Sequence, residues 1–471
     1  MENQCYDCII VGGGAVGALT LRSLTARGGR CLLLEAGADL ASGATRANSA
    51  IVHAGFDPVP GTKKAYYNVR GAAMYPALAD ALDIPYRPMD SLVVAYSDAE
   101  LGTLEKLYQR GVANGVREQR IIGREELLRR EPNLSPNAVG ALCAASALVE
   151  PWTVAISAAE CAADNGADVR CGHRVTAIEA ANGLFRVTAE TETGTVEFTA
   201  RTVVNAAGVH ADAIHAMLAP KTYTITGKRG QYYVLGKRAA GIVNSVLFAC
   251  PTEKGKGVLI TPEIHGRILV GPDSEPVADR TDNGITADAL ELVRNAAARY
   301  LSVPLPMNLQ IRTFAGVRPV GDTGDFVIGP CEAVPGFFEA ACIESPGLAS
   351  SPAIGEAVAS QVAGFLGLRG GAHFVPVRRP RLTDGGTGDT LVCRCNRVTR
   401  AQIVDAIHRN CGARTVKGVK LRTGAMLGEC QGGFCSGRIA AILAEELKTD
   451  LTQIRYDGPG SRILTERTRG E

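Results

Sequence analysis

Apolar runs and glycines alternate at the start of the chain in the order strand, turn, helix, strand. Residues 8–11 and 31–34 are continuous apolar runs of strand length, and residues 18–26 have the composition and length of a helix. The glycine-rich segment 12–17 lies between the first strand and this helix. The pattern therefore predicts a βαβ unit with its glycine turn at the end of the first strand.

The next segment, residues 36–85, breaks this regular pattern. It is rich in glycine, serine and asparagine and contains His53. Its polarity and frequent glycines predict loops rather than a core helix. Residues 88–137 then hold the apolar run 92–96 and two charged amphipathic patterns, which predict a strand and two helices of an inserted or second domain.

Strand and helix patterns return in the middle of the chain. Residues 156–165 predict a helix, and strands are expected around Val175 and Phe185. The apolar strand 202–205 leads into a second glycine turn at 206–208. A glycine turn at the end of a strand is where α/β sheets place ligands, so this turn is a second candidate for cofactor contact.

The remaining part of the main body alternates again. Residues 223–312 mix strand-like and loop segments, which suits an antiparallel sheet. The chain then passes through 315–319 and 343–348 into a helix expected over 354–365. The fold class is therefore α/β, a Rossmann-like dinucleotide-binding domain interleaved with an antiparallel-sheet substrate domain.

These patterns also divide the chain into segments. The oxidoreductase body spans 1–374, and a linker rich in Pro, Arg and Gly at 375–390 separates it from a small helical cysteine module at 391–450 and a tail at 451–471. Within the body, the dinucleotide-binding segments lie at about 1–87, 145–220 and 313–370, and the substrate-domain segments at about 88–144 and 221–312.

Composition excludes several classes of function. The 471 residues are 46% hydrophobic and 21% charged, and 50 Lys and Arg against 48 Asp and Glu give a formal net charge of +2. This balance does not favour nucleic acid or an anionic membrane as a partner. Because the chain shows neither a signal peptide nor a membrane-spanning run, we expect a cytoplasmic protein, with peripheral contact at the inner membrane face left open.

The first glycine turn matches the dinucleotide-binding fingerprint. Gly12 allows the tight turn, Gly14 lets the backbone approach a pyrophosphate and Gly17 lets the helix pack on the strand, while Glu35 can bind ribose hydroxyls. No second complete fingerprint follows, which favours FAD over NAD as the single bound dinucleotide. The other residues expected to contact it are Ala15, Val16, Ala36, Val175, Ala207 and Gly208.

Four of the 14 cysteines form two close pairs near the C-terminus. Cys393 and Cys395 are separated by one residue, and Cys430 and Cys435 by four. Thiolates are the usual ligands of iron–sulfur clusters, whereas structural zinc prefers Cys-x-x-Cys knuckles. We therefore predict a cluster, with zinc as the alternative. The other ten cysteines are expected to be plain thiols in a reducing compartment, although Cys411 could be confused with a ligand.

A flavoenzyme that oxidises a substrate needs a base for the substrate proton and a cation for an anionic end of the substrate. His53 suits the base, because it lies in a polar, glycine-flanked segment just after the fingerprint unit. Arg318 could clamp a phosphate or carboxylate with two parallel hydrogen bonds. A structural histidine and a solvated surface arginine are the alternatives that the residues alone leave open.

With these motifs side by side, residues 5–370 resemble the glycine-oxidase-like and glycerol-3-phosphate-dehydrogenase-like flavoproteins. The matching segments are the fingerprint with Glu35, the run 48–55 followed by 60–62, and the run 316–319. Residues 391–450 resemble the bacterioferritin-associated-ferredoxin type of [2Fe-2S] domain found at the C-terminus of anaerobic glycerol-3-phosphate dehydrogenases. The run Cys430-Gln431-Gly432 is a close match.

The resemblance implies roles for individual residues. His53 would be the base, with Ser49 beside it near the flavin, and Arg318 would be the phosphate or carboxylate clamp. Lys256 and Ser345 resemble substrate-side positions. Gly347 and Leu348 would approach the flavin ring.

The resemblance also implies an activity. A small anionic substrate, sn-glycerol 3-phosphate, would be oxidised to dihydroxyacetone phosphate, with electrons relayed through a [2Fe-2S] cluster to a partner redox subunit or quinone. The run around His53 is similar in L-2-hydroxyglutarate oxidases, so dehydrogenation of that or another 2-hydroxyacid, or of an amino acid, stays an alternative. A non-enzymatic redox-sensing module is the alternative from a different class.

Overall fold

The structure is a computed structural model that describes residues 5–466 apart from 252–256, 372, 384, 385, 387 and 388. Within these residues the helices are α1 (Ala15–Ala26), α2 (Lys63–Leu82), α3 (Asp98–Asn114), α4 (Arg124–Arg130), α5 (Pro151–Asp164), α6 (Ala211–His215), α7 (Ala287–Ala298), α8 (Gly347–Leu366), α9 (Arg400–His408), α10 (Val416–Thr423) and α11 (Ser436–Leu447).

The strands follow the same chain order. They are β1 (Cys5–Val11), β2 (Cys31–Glu35), β3 (Ile51–Val52), β4 (Tyr86–Ala95), β5 (Gln119–Gly123), β6 (Gly140–Val149), β7 (Asp168–Cys171), β8 (Arg174–Ala181), β9 (Leu184–Thr191), β10 (Gly194–Asn205), β11 (Ile225–Leu235), β12 (Val246–Ala249), β13 (Leu259–Pro262), β14 (Ile268–Gly271), β15 (Glu275–Val277), β16 (Gln310–Gly321), β17 (Val327–Pro330), β18 (Phe337–Ala341), β19 (Leu391–Cys393) and β20 (Val398–Thr399).

A mostly parallel sheet carries the predicted βαβ unit. Its order is β17-β18-β10-β1-β2-β7, and β1 pairs in parallel with both β2 and β10. Val11 at the end of β1 lies opposite Leu34 and Asn205, so the two glycine turns and Glu35 meet at one edge of the sheet. The prediction of a Rossmann-like unit is confirmed, and this edge is where such sheets bind ligands.

A long helix lies where the sequence predicted loops. Helix α2 spans Lys63–Leu82, inside the segment 36–85 that was expected to lack a core helix. Its first turn is capped by Thr62, whose side chain accepts a hydrogen bond from the Ala65 amide. Gly71 lets α2 cross α8, since a Cβ there would lie 2.1 Å from the Ala349 carbonyl oxygen. The prediction was wrong because most of the glycines, serines and asparagines that indicated loops lie in 37–62, before the helix.

The second sheet is wider than the sequence indicated. Strands run in the order β15-β11-β14-β13-β12-β4-β6-β3, with β16 on β11 and β5 on β6, and all named pairs are antiparallel except β12 with β4. The divisions expected at about 144 and about 312 fall inside β6 and β16, respectively. Both strands continue across these points: β6 stays paired with β4, and β16 stays paired with β11 across a register shift between Gln310 and Arg312.

The C-terminal module is helical, as predicted, and has its own core. Helices α9, α10 and α11 and the short β19–β20 pair surround buried apolar side chains that include Val419, Ile439 and Leu443. The module is held against the main body by Arg422 on α10, whose Nη1 and Nη2 donate to Asp39 at 2.6 and 2.8 Å. Asp39 lies four residues beyond Glu35, in the loop that follows β2.

The predicted linker also contacts the main body. Arg378 is only 3% exposed, and its Nη2 donates to Glu160 on α5 at 2.8 Å. Arg409, the residue directly after α9, donates to the other oxygen of the same carboxylate. Glu160 therefore joins the linker and the cysteine module to the body. In the part of the chain that is described, no helix combines the length and apolarity that a membrane crossing requires.

Candidate functional site

The first glycine turn is built by two close backbone approaches. Gly12 has a φ of +112°, and a Cβ at this position would lie 2.3 Å from the Ala206 carbonyl oxygen. A Cβ on Gly17 would lie 2.0 Å from the Gly12 carbonyl oxygen. Only glycine fits at either position, which keeps the turn tight and the start of α1 close to the sheet edge.

Glu35 is fixed at the end of β2 by hydrogen bonds from its own loop. Its Oε2 accepts from the Gly13 amide at 2.7 Å, and its Oε1 accepts from the Gly37 amide at 2.6 Å and the Ser42 hydroxyl at 2.7 Å. Each carboxylate oxygen can accept more than one hydrogen bond. Glu35 is therefore oriented beside the turn and can still receive ribose hydroxyls.

A cavity of about 1500 Å³ extends from the glycine turn to the second sheet. Its size exceeds that of an ordinary small-molecule pocket, which suits a dinucleotide together with a substrate. His53, Arg318 and Ser345 lie on its wall. So do the residues predicted to contact the cofactor, namely Gly12, Gly14, Ala15, Val16, Glu35, Ala36, Ser49, Val175, Ala207, Gly208, Gly347 and Leu348.

Two predicted residues are not on that wall for different reasons. Gly17 packs beneath the turn against Gly12. Lys256 lies outside the described residues. The glycine cradle and the large cavity at the sheet edge fit FAD.

The far end of the cavity brings three segments together. His53 follows β3 directly, and its carbonyl oxygen accepts a hydrogen bond from the Asn68 amide group on α2 at 2.6 Å. Gly316 on β16 has no room for a side chain, since a Cβ would lie 2.0 Å from the Ala47 carbonyl oxygen. This contact places the segment of Ser49 beside the strand of Arg318.

Tyr232 is a cavity residue that sequence analysis missed. Its hydroxyl lies 3.1 Å from the Ser49 Oγ, and its ring stacks on Phe314 with centroids 4.6 Å apart. Burial raises the pKa of the Tyr232 hydroxyl, although the Arg318 cation acts in the opposite direction. The phenol is therefore protonated at neutral pH and can donate a hydrogen bond toward the cavity. The sequence indicated only that it belongs to one of the strand-like segments of residues 223–312.

The cations on the cavity wall differ in their partners. Lys64 is paired with Glu344 at 2.7 Å, and Arg280 with Asp212 at 2.5 Å. Arg318 instead donates from Nη2 to the backbone carbonyl oxygen of Asp273 at 2.7 Å. Among described residues, no carboxylate forms an ion pair with Arg318. Its positive charge is therefore available to an anionic ligand.

The four cysteines of the C-terminal module converge from two loops. The Cys395 and Cys430 sulfurs are 3.6 Å apart. Burial raises the pKa of the Cys435 thiol, and Cys393 lies close enough to raise it further. Within the described residues, no three His, Cys, Asp or Glu side chains surround one point as the ligands of a single ion would. Two thiol pairs suit a dinuclear cluster with two thiolates on each iron.

Backbone amides favour the thiolate form of Cys430, whereas burial raises the pKa of Cys435, at the other end of the same loop, to about 12. The amide of Phe434, followed by those of Gly432 and Gly433, lowers the pKa of the Cys430 thiol. Gly428 is equally necessary for the loop, since a Cβ there would lie 2.2 Å from the Cys395 Cβ. Thiolates are the form that binds iron, so this loop fits a cluster.

Cys411 does not belong to this group. Burial raises the pKa of its thiol to about 12, and its surroundings are Arg422, Glu160 and Asp39 rather than the other cysteines of the module. Its carbonyl oxygen accepts a hydrogen bond from the Arg422 Nη2 at 2.5 Å. Its thiol lies at the contact with the main body and apart from the four paired cysteines, so it is not placed to act as a ligand with them.

Gly17→Ala tests the glycine turn. The added methyl group would displace the Gly12 carbonyl, so we expect FAD retained after purification to fall below about a tenth of the wild-type content and Tm to fall by about 5 °C. Flavin absorbance and thermal unfolding measure both effects. Gly102→Ala on the exposed face of α3, where a Cβ meets nothing within 4 Å, is the matched control. Normal FAD content in Gly17→Ala would show that the turn tolerates a side chain.

Comparison with known proteins gives matches to two families. A family described as "FAD dependent oxidoreductase" matches residues 7–361, and a "BFD-like [2Fe-2S] binding domain" matches residues 391–445. The solved structure of dithionite-reduced L-alpha-glycerophosphate oxidase from Mycoplasma pneumoniae, with FAD bound, has a TM-score of 0.73 and 29% identity. That comparison covers 79% of this chain and 98% of the other.

Two curated relatives are similar over long regions. Glycerol 3-phosphate dehydrogenase from Caloramator mitchellensis is 39% identical over 482 aligned residues, which cover 99% of both chains. Glycerol 3-phosphate oxidase from Mycoplasma pneumoniae is 32% identical over 74% of this chain and 93% of its own length. FAD and a [2Fe-2S] cluster are the cofactors that both the family matches and the site support, as the sequence predicted. The chain therefore belongs to the FAD-dependent oxidoreductase family that includes the glycerol 3-phosphate dehydrogenases, and it carries a C-terminal BFD-like [2Fe-2S] domain.

Proposed function

We propose that this protein oxidises sn-glycerol 3-phosphate to dihydroxyacetone phosphate and delivers the electrons to a partner redox protein or quinone. The observation that carries the proposal is the far end of the cavity, where His53, Ser49, Tyr232 and Arg318 line one wall. The relative with this substrate in its name spans both the oxidoreductase body and the cysteine module. Bound FAD supplies a hydride acceptor, and a [2Fe-2S] cluster carries single electrons.

Two residues have distinct roles in the proposal. His53 takes the proton of the substrate hydroxyl as the C–H bond breaks, because a neutral imidazole is the side chain best suited to this transfer near neutral pH. Arg318 binds the phosphate, since its guanidinium matches phosphate geometry and has no carboxylate partner among the described residues. The hydrogen-bonded hydroxyls of Ser49 and Tyr232 orient the substrate that lies beside them in the cavity.

The remaining assignments belong to the same proposal. Ser345, which is exposed to the cavity, and Lys256 contribute to the substrate side. The division into an oxidoreductase body (1–374), a connecting segment (375–390) and a cluster domain (391–450) is part of the proposal. Within the body, the divisions expected at about 144 and about 312 are moved to the ends of β6 and β16. Both Gly347 and Leu348 lie at the start of α8 and are assigned to the flavin ring.

Anaerobic titration with a panel of substrates tests the activity. The FAD- and cluster-loaded protein is mixed with glycerol 3-phosphate, L-2-hydroxyglutarate, proline or sarcosine, and absorbance is followed at the flavin and cluster wavelengths. We expect bleaching of both chromophores with glycerol 3-phosphate only. Bleaching only by a 2-hydroxyacid or an amine would assign the protein to that substrate class, and bleaching by none of the four would contradict the proposed function.

Cys430→Ser tests the path of the electrons. The substitution removes one thiolate of a pair, so we expect the visible absorption of the cluster to disappear while FAD content and bleaching of the flavin by substrate persist. Reduction of a one-electron protein acceptor should fall by at least about tenfold. The exposed Cys5→Ser is the matched control. Unchanged acceptor reduction in Cys430→Ser would show that electrons leave by another route.

A further inference from the structure

The rim of the cysteine site is an exposed basic and aromatic surface. Cys395 and Cys430 are both exposed, and the Phe434 ring beside them is 37% exposed. The guanidinium carbons of Arg394 and Arg438 lie 4.3 and 4.6 Å from the Phe434 ring centroid. Both distances are short enough for cation–π attraction between the arginines and the ring.

The charge of this rim is not neutralised within the described residues. Arg394, Arg397 and Arg438 are exposed, and none forms an ion pair with a described carboxylate. Other basic residues of the module are already paired, namely Arg400 with Glu445 and Glu446, Arg409 with Glu160, Lys417 with Asp457 and Arg422 with Asp39. Asp405 pairs with Arg379 and Arg409, and Glu429 accepts a hydrogen bond from the Lys237 amide at 2.8 Å. Glu429 is an exposed carboxylate next to Cys430, but the three rim arginines outnumber it, so the surface around the thiols is positive although the whole chain is nearly neutral.

We propose that this surface, defined by Arg394, Arg397, Phe434 and Arg438, is the docking site for an acidic one-electron carrier protein. The inference rests on the proposed electron path and adds the chemistry of the partner and its place on the molecule. Complementary charge speeds the encounter between redox proteins, and arginine and aromatic residues dominate the energy of such interfaces. A small patch suits a transient complex that must release its partner after each transfer.

The same features argue against an anionic membrane as the occupant. Lipid-binding basic patches typically contain about four to eight Lys or Arg, whereas this rim presents three arginines around an aromatic centre. The exposed Cys395 and Cys430 lie within the patch, so a docked protein would cover the cysteine site directly.

Oxidation of one alcohol to a ketone releases two electrons and two protons, so two carrier molecules are reduced for each substrate molecule.

Two haem proteins of opposite charge test the proposal. The soluble domain of cytochrome b5 is the acidic probe, and cytochrome c is the basic one. The FAD- and cluster-loaded enzyme is compared with Arg394→Glu and Arg438→Glu, and the exposed Arg117→Glu, far away on the loop before β5, is the matched control. Binding of the oxidised proteins and the rate of haem reduction are measured at about 0.02 M and about 0.2 M salt.

We expect cytochrome b5 to bind more tightly at low salt, and each rim variant to weaken its binding and slow its reduction by about tenfold at low salt. Cytochrome c should be the poorer acceptor, and Arg117→Glu should behave as the wild type. Arg438 lies on α11 outside the cysteine loops, so Arg438→Glu keeps the test valid if Arg394→Glu fails to load its cluster.

Two results would overturn the docking site. In the first, the rim variants bind and reduce cytochrome b5 as well as Arg117→Glu does, while substrate still bleaches their cluster. In the second, the wild-type enzyme binds phosphatidylglycerol vesicles but not cytochrome b5, and the rim variants lose the vesicle binding. If substrate fails to bleach the cluster in the wild type, the proposed electron path is wrong, whereas binding of the oxidised proteins still decides the docking site.

Discussion

His53→Asn is expected to lower the rate of flavin bleaching by glycerol 3-phosphate by about 10²- to 10⁴-fold, the usual contribution of a positioned base. Asparagine keeps a polar side chain of similar reach but cannot take a proton. Substrate affinity should change little, because the proposed anion contact is made by Arg318. Stopped-flow absorbance under anaerobic conditions, over a range of substrate concentrations, separates the bleaching rate from the affinity.

The pH profile distinguishes a base from a positioning residue. In the wild type, the bleaching rate should rise with pH as His53 loses its proton, because only the neutral imidazole can accept one. In His53→Asn this rise should be absent. The exposed His408→Asn in the cysteine module, where Nε2 lies 2.8 Å from Glu446, is the matched control. A full rate in His53→Asn, or a profile unchanged from the wild type, would remove the assignment.

The parts of this site that are local in sequence could be predicted. The glycine turn, Glu35 and the cysteine pairs each depend on residue types at short fixed spacings, and their chemistry follows from those types. The structure adds that β1 and β10 are parallel neighbours, so the two glycine turns lie at one edge of the sheet, where α/β sheets place ligands.

Contacts between distant segments could not be predicted in this way. Tyr232 meets Ser49 across 183 residues, and Arg422 meets Asp39 across 383. Nothing in the spacing of one segment reports which distant segment it will contact. Helix α2 was missed for another reason: most of the glycines, serines and asparagines that predicted loops lie in 37–62, whereas 63–82 contains six alanines and one glycine.

The contact between Arg422 and Asp39 bears on how the two cofactor regions are related. Both groups are buried, and the pair joins α10 of the cysteine module to the loop that begins at Glu35. A buried pair of this kind is costly to break, since either partner alone would be left as an unpaired buried charge. The cysteine module is therefore fastened beside the dinucleotide-binding edge rather than attached only through residues 375–390.

Arg318→Lys is expected to reduce kcat/KM for glycerol 3-phosphate by about 10-fold, and Arg318→Ala by about 100-fold or more. Lysine keeps the charge but loses the planar fork that binds two phosphate oxygens, whereas alanine loses both. Most of the loss should appear in KM, because the phosphate lies away from the bond that breaks and is bound equally before and during the reaction.

Glycerol, which lacks the phosphate, separates an anion clamp from a structural role. If Arg318 binds the phosphate, its substitution should leave the slow oxidation of glycerol within about threefold of the wild type, because no contact with that substrate is lost. Arg174→Lys, at the opposite end of the cavity, is the matched control and should affect neither substrate. Equal losses with glycerol and glycerol 3-phosphate would mean instead that Arg318 holds β16 and the Asp273 loop in place through its 2.7 Å hydrogen bond. The loss of activity with glycerol 3-phosphate, divided by the loss with glycerol, therefore measures how much of the contribution of Arg318 comes from binding the phosphate.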